Sequence, residues 1–319
     1  MSEQIKTAGI DVSKATLDMA IHGQAGITHV PNTTTGWDLL AAKLAAEGVE
    51  RVGLEATGGY ERGIAAYLRD RGVTVVLLQP AQVKAFGKMH LRRAKADRID
   101  AVLIAACTAL LDRGERIAPD PRFEVLGDQL TFVEQIEEDI ARYKTRLEHV
   151  TDKRIRRSIE ASIRRETLRR LVEIKRLLLA VRAYSDLGER LRLILSVPSV
   201  GDRTALALLV RMPELGHLSR GQAASLAGLA PFVRQSGRWQ GQTRIGGGRA
   251  RLRRSLYAAA FPGAHHWNEA LMHLHARLRA RGASHTSAIV ACARKLLTQV
   301  NAVVARGTPW EDRPATAAA

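Results

Sequence analysis

Ile5-Lys6-Thr7-Ala8-Gly9-Ile10-Asp11-Val12 is a run of small and β-branched residues with one carboxylate near its end, and it reads as a strand. Working outward, Leu17 to His22 and Gly26 to Val30 read as two more strands, separated by turn-like Ser13-Lys14 and Gly23-Gln24. Thr35 is placed to cap a helix running to about Ala46, and Arg51 to Glu55 is another short strand. Thr57-Gly58-Gly59 breaks it, a helix follows to about Arg71, and Val73 to Leu78 gives a fifth strand. Three strands in a meander followed by alternating helix and strand predict a mixed sheet covered by helices.

That order is the one expected of an RNase H-like fold, in which the first and fourth strands are neighbours. Asp11 would end the first and Glu55 the fourth. A charge at the end of an apolar strand is costly to bury without a partner. Further on, Lys95-Ala96-Asp97-Arg98-Ile99-Asp100-Ala101 runs from a basic loop into a helix, with two aspartates three residues apart on one face. Crowded carboxylates disfavour each other's ionisation, and a hard cation such as Mg²⁺ relieves that cost. Four of them suffice for two ions about 3.5–4 Å apart, a geometry suited to phosphoryl transfer. The plainer alternative is a solvated helix start, with aspartates favourable in the first turn and Arg98 neutralising them.

The net charge is +17, and residues 191–319 hold 18 Lys and Arg against 5 Asp and Glu. Leu215 to Asn268 contains no acidic residue but includes Arg220, Arg234, Arg238, Arg244, Arg249, Arg251, Arg253 and Arg254. Arginine forks pair with phosphate, so this segment reads as a nucleic-acid surface, with Arg92, Arg93 and Lys95 as a second basic patch. Within it, Gln235-Ser236-Gly237 lies among arginines in a stretch too rich in glycine for a regular helix. A serine is a weak nucleophile unless its proton is removed and phosphoryl charge is offset, which Arg234, Arg238 and Arg244 are placed to do. A Ser-Gly turn without chemical consequence is the competing reading.

Between these regions, Leu126, Leu130, Val133, Ile136, Ile140, Tyr143, Leu147 and Val150 recur at gaps of three and four, as do Leu171, Ile174, Leu178 and Val181. The spacing predicts amphipathic helices of coiled-coil type and favours oligomerisation. Thr151-Asp152 is either a hairpin turn or a cap within a longer arm. Leu195 to Ala205 resembles a helix-hairpin-helix turn, with packing of a small helical domain as the equal alternative. Cys107 and Cys292 have no metal-motif or disulfide spacing and read as small buried residues. His265, His266, His273 and His275 lack nearby Cys or acidic ligands and read as surface or packing residues. No apolar run reaches bilayer-spanning length and no leader pattern opens the chain, so a cytoplasmic protein without a membrane partner, nucleoid-associated when acting, is expected.

Gly-Ile-Asp-Val-Ser-Lys at 9–14, Glu-Ala-Thr-Gly-Gly-Tyr at 55–60 and Ala-Asp-Arg-Ile-Asp-Ala at 96–101 together resemble the RuvC-like DEDD domain of the insertion-sequence family 110 transposases, bridge-RNA-guided recombinases. Gly-Leu-Ala-Pro at 228–231, Gln-Ser-Gly at 235–237 and Gly-Gly-Gly-Arg at 246–249 are similar to that family's Tnp domain. An actin-like ATPase shares the opening motif but needs a second phosphate loop, which is not found. The resemblance implies a RuvC-like domain over 1–118, coiled-coil helices over 119–190, a mainly helical Tnp domain over 191–310 and a flexible tail over 311–319. It further implies Asp11, Glu55, Asp97 and Asp100 as catalytic Mg²⁺ ligands and Ser236 as a nucleophile that links covalently to DNA. Donor and target DNA, a structured guide (bridge) RNA and a homo-oligomer, dimer or tetramer, are the implied partners. The alternatives are a metal-dependent junction-resolving endonuclease that uses water, and a non-catalytic nucleic-acid-binding protein.

Overall fold

The computed structural model describes residues 5–56, 58–89, 97–111, 120–232, 235–236, 239–240 and 244–311, with the side chains of 97–99, 235–236 and 239–240 outside the description. The chain divides into two compact units, Met1–Ile117 and Ala118–Ala319. The first is α/β and the second mainly α.

The first unit runs β1 (Thr7–Val12), β2 (Thr16–Ile21), β3 (Thr28–Pro31), α1 (Thr34–Ala46), β4 (Arg51–Glu55), α2 (Arg62–Arg69), β5 (Thr74–Leu78), α3 (Pro80–Met89) and α4 (Asp97–Leu110). The sheet order is β3-β2-β1-β4-β5. β1 pairs antiparallel with β2 and parallel with β4, which makes the first and fourth strands neighbours as the RNase H-like reading requires. Side chains alternate between the faces of a strand. Ala8, Ile10 and Val12 therefore share one face with Leu17, Met19, Val52 and Leu54, where Leu40 and Leu44 of α1 and Ile64 and Leu68 of α2 complete a buried cluster. The first helix is capped by Thr33 rather than Thr35: its hydroxyl accepts from the Gly36 amide, and Gly36 lies so close to the Pro31 carbonyl that a Cβ there would sit 2.0 Å from it.

The opposite face is shaped by two glycines. Gly9 and Gly53 are partners in the β1–β4 ladder, and α4 crosses them closely, with its backbone against Gly9 and the Thr108 side chain against Gly53. A Cβ on Gly9 would lie 2.2 Å from the Ala105 nitrogen, and one on Gly53 would lie 1.8 Å from Thr108 Oγ1. Val76 and Leu78 of β5 extend this face and bury against Leu103, Ile104 and Cys107.

The second unit opens with α5 (Arg122–Glu148) and α6 (Lys153–Arg182), which pack along one another as a helical hairpin. Asp152 caps α6 by accepting from the Ile155 amide, and Arg156 donates to the Leu147 and Val150 carbonyls at 3.1 Å each, so the turn is tied from both sides. The sequence left a hairpin and a longer arm as alternatives, and α5 and α6 form the hairpin. It is followed by α7 (Ser185–Leu195), α8 (Asp202–Arg211) and α9 (Arg220–Leu226), then four two-residue strands, β6 (Pro231–Phe232), β7 (Gln235–Ser236), β8 (Trp239–Gln240) and β9 (Arg244–Ile245). The unit ends with α10 (Ala250–Pro262), a π-helical turn (Gly263–Trp267), α11 (Glu269–Ala280) and α12 (His285–Arg306). Leu126 and Leu130 of α5 join a core built from α7, α8, α10 and α12. Between α7 and α8 the turn is used internally: Pro198 accepts from Asn268 at 3.2 Å and Ser199 lies against Gly263.

By length and composition α12 is apolar enough to cross a membrane, which corrects the expectation that no run qualifies. Ile289, Cys292, Leu296 and Val300 are fully buried in the core, and interior packing, not lipid, accounts for the composition. Both cysteines are buried as expected, and burial pushes the Cys292 thiol up to about 11.

The hairpin is joined to this core by a buried carboxylate. Glu134 of α5, 5% exposed, meets Arg211 of α8 at 2.7 Å, Arg251 of α10 at 2.8 Å and Arg203 at 3.5 Å. Breaking such a buried pair leaves uncompensated charge and costs about 3–5 kcal/mol. Glu134→Ala is expected to lower the urea midpoint of the second unit accordingly, while Glu138→Ala, whose pair with Arg254 is largely exposed, changes it little. In the first unit, Gly9→Ala is expected to cost about 1–3 kcal/mol or more, because the methyl group meets backbone that cannot swing aside. Urea denaturation of Glu134→Ala and Glu138→Ala and a thermal melt of Gly9→Ala check these.

Candidate active site

The glycine contact fixes where the acidic residues emerge. Two residues beyond Gly9 on the same face is Asp11, and two beyond Gly53 is Glu55, one step past the last ladder pair Ile10–Leu54. Because α4 lies flush on the glycines, its first turns bring Asp100 over this end of the sheet. Glu55 registers the crowding: its carboxyl is held above the usual carboxylate range, first by burial and then by the negative charges of Asp11 and Asp100. Three of the four expected carboxylates thus share one site. Asp97 begins α4, and its side chain lies outside the described residues, as do Arg92, Arg93 and Lys95.

The surrounding motifs hold this end in place. Ser13 is a turn residue, its hydroxyl accepting from the Ala15 and Thr16 amides at 3.3 and 2.9 Å. After Glu55 the chain turns through Gly58 and Gly59 at φ of 83° and 112°, a region that favours glycine, and Glu61 accepts from the Gly59 amide at 2.9 Å. Asn32 donates to the Ser13 carbonyl at 2.9 Å and accepts from Trp37 Nε1 at 2.8 Å, bracing the β1–β2 turn against α1.

The acidic row continues where sequence reading saw nothing. Asp18 stands directly opposite Asp11 across β1–β2, and His29 stands opposite Asp18 across β2–β3, with Nδ1 2.7 Å from the Asp18 carboxylate. Glu55, Asp11, Asp18 and His29 therefore form one line across four strands. Asp18 and His29 line a cleft of about 760 Å³ with Val102 of α4. Counting strand register from Asp11 through the tight turn would have found Asp18.

In the second unit, Ser236 lies on β7 and pairs with Trp239 of β8. This hairpin is an excursion whose base is closed by β6 pairing with β9. Below the base, Gly228 and Gly248 adopt φ of 68° and 59° and lie back to back, a Cβ on Gly248 falling 2.3 Å from the Gly228 nitrogen. The side chains of Ser236, Arg234 and Arg238 lie outside the described residues. Arg244, on β9, is exposed. The remaining expected nucleic-acid contacts have internal partners: Arg249 grips Glu214 bidentately at 2.8 and 2.7 Å, Arg251 meets Glu134, Arg253 donates to the Gly247 carbonyl at 2.7 Å, and Arg254 reaches Glu138 at 3.3 Å. Arg249 in turn holds the Glu214 carboxyl below the usual range.

Comparison with known proteins matches both units. Residues 8–153 fit the family model of the DEDD transposases of IS110 elements, and residues 191–277 fit that of the IS116/IS110/IS902 transposase family. The IS110 insertion element 43.6 kDa protein of Streptomyces coelicolor is 36% identical over 125 residues, covering 37% of this chain and 29% of that protein. The chain thus spans less than a third of that relative in the matched region. Pilin gene-inverting proteins of Moraxella bovis and Moraxella lacunata are 27% identical over 322 and 327 residues, covering 96% of this chain and 97% of each of them. With the two models in order along the sequence and converging carboxylates under the first, the chain belongs to the IS110 family of transposases and is by class a DNA transposase or recombinase.

Proposed function

We propose that the chain cuts and rejoins DNA strands of a mobile element, with Asp11, Glu55, Asp97 and Asp100 as the acidic centre and Ser236 as the nucleophile. The observation that carries the reading is the convergence of Asp11 and Asp100 on Glu55, whose carboxyl resists ionisation. An all-oxygen donor set of this kind suits a hard dication, and Mg²⁺ is the natural choice. When bound, that ion would neutralise charge at the scissile phosphate. The two Moraxella relatives, named for inverting a gene, match over nearly their whole length, and inversion requires that every broken strand be resealed.

In the proposed step the Ser236 Oγ–P bond forms as the bond from phosphorus to one deoxyribose oxygen breaks. The serine proton leaves Oγ, and the released sugar oxygen takes one up. No water is consumed, so the reverse reaction reseals the strand without an energy source. Arg244, exposed on β9, offsets phosphoryl charge near the hairpin. A structured guide RNA joins DNA as a partner on the strength of the family resemblance, and self-association is supported by Leu168, Leu171, Val172 and Leu179, which α6 leaves exposed. The work would take place in the cytoplasm, on the nucleoid.

Two outcomes test this. With end-labelled DNA spanning the element junction, RNA transcribed from the flanking DNA, and Mg²⁺, the wild type is expected to give a protein–DNA adduct that survives denaturing electrophoresis, lost in Ser236→Ala and in Asp11→Ala. Cleavage that persists in Ser236→Ala without an adduct would instead make water the nucleophile, and binding without cleavage would leave a nucleic-acid-binding protein. Second, a carboxyl whose pKa is raised on folding binds more protons folded than unfolded, so its contribution to stability falls as pH rises through its ordinary range. In chelator, Glu55→Gln is therefore expected to melt higher than wild type at pH 7, and the gap to close toward pH 4. Mg²⁺ should raise the wild-type melting temperature at pH 7 and leave that of Glu55→Gln nearly unchanged; equal responses would remove Glu55 from the metal site.

A further inference from the structure

Three histidines from three separate elements of the second unit meet at one corner, although sequence spacing set two of them aside as packing residues and passed over the third. His265 lies in the π-helical turn, His275 on α11 and His285 at the first position of α12, and their ligating atoms all lie within 4.8 Å of one another. Ring centroids are 5.0, 5.4 and 5.8 Å apart.

Two details distinguish this cluster from chance packing. His265 Nδ1 lies 2.7 Å from the Phe261 carbonyl, which can only accept. The proton must therefore sit on Nδ1, leaving the Nε2 lone pair free, which is how metal-ligating histidines are commonly oriented. His275 Nε2 is buried with no hydrogen-bond partner among the described residues, and leaving such an atom unsatisfied costs about 1–3 kcal/mol. Burial, then His265, His285 and Arg279, push the His275 imidazole below its usual range. The backbone is held to match: a wide π turn at Gly263–Trp267 re-aims His265, and Asn268, buried, fixes the entry to α11 by accepting from the Leu271 amide and donating to Gln299.

We propose that His265, His275 and His285 form a binding site for a borderline-soft divalent metal, Zn²⁺ foremost, with water at the fourth position. Around a tetrahedral Zn²⁺ with Zn–N of about 2.0–2.1 Å, nitrogens sit about 3.4 Å apart. The ligating atoms, within 4.8 Å of one another, would draw together on binding. Imidazoles discriminate against Mg²⁺, which prefers oxygen ligands, so the two units would take different metals. Bound there, the ion clasps the π turn, α11 and the start of α12 together, and so stabilises the helical unit that carries the Ser236 hairpin. The proposal does not depend on the proposed chemistry at Ser236.

The test uses untagged full-length protein, stripped with chelator, dialysed and titrated with Zn²⁺ by calorimetry and with Co²⁺ by visible absorbance. One site per chain is expected, with cobalt bands of tetrahedral type and no competition from Mg²⁺. His275→Ala and His285→Ala should each weaken binding at least tenfold, His266→Ala should leave it unchanged, and Glu55→Gln should also leave it unchanged, which separates this site from the acidic one. His275→Asn, with far-ultraviolet circular dichroism, checks that loss of binding is not loss of fold. Millimolar binding only, or equal binding in the variant lacking all three histidines, would overturn the proposal and leave an aromatic packing cluster.

Discussion

The first unit depends on how closely a helix can approach a sheet. Side chains normally keep the two apart, but over Gly9 the α4 backbone comes down onto the strand, and over its ladder partner Gly53 the Thr108 side chain does. The approach fixes both the depth of α4 and its rotation, because Ala101 and Ala105 meet the strand while Thr108 fits beside Gly53. Asp100 is thereby set above Asp11 and Glu55, and the electrostatic crowding that raises Glu55 follows from a packing constraint further along the same strands. On the other face, the cluster of Ile10, Leu54, Leu40 and Leu68 gives the sheet its rigidity, so the acidic side can be polar without loss of the fold.

The second unit handles its charge differently. Its arginines outnumber its carboxylates, yet several of those that make the sequence look like a nucleic-acid surface are holding helices together. Glu134 gathers Arg203, Arg211 and Arg251 from α8 and α10 onto α5, and Glu214 takes Arg249. A charge count treats these as free cations, whereas the fold consumes part of the surplus internally. Arg220 and Arg244, by contrast, are exposed.

The limits of sequence reading follow the range of the interactions. The five strands were legible to within two residues at their ends, because alternation and glycine breaks are local signals. Asp11 and Glu55 stood out as charges ending apolar runs. Asp18 did not, although it faces Asp11 directly, since its significance lies in cross-strand register and not in its own neighbours. The pairing of Arg251 with Glu134 spans 117 positions, and the meeting of His265 with His285 needs two intervening helix ends to be placed first. Ser236 carries no periodic signal at all; motif resemblance singles it out, and the strand pairing explains only why its surroundings resist helix formation.

The spacing Gly-x-Asp in β1 and Gly-x-Glu in β4 also works as a ruler. Adjacent residues of a strand point to opposite faces, so the single residue between each glycine and its carboxylate decides which side of the sheet the charge occupies. One residue inserted there would not displace the carboxylate by a few ångströms but invert it, into the apolar layer of Ile10 and Leu54. Evolution of this site can therefore change what surrounds the ruler, while the two-residue interval itself admits no intermediate length.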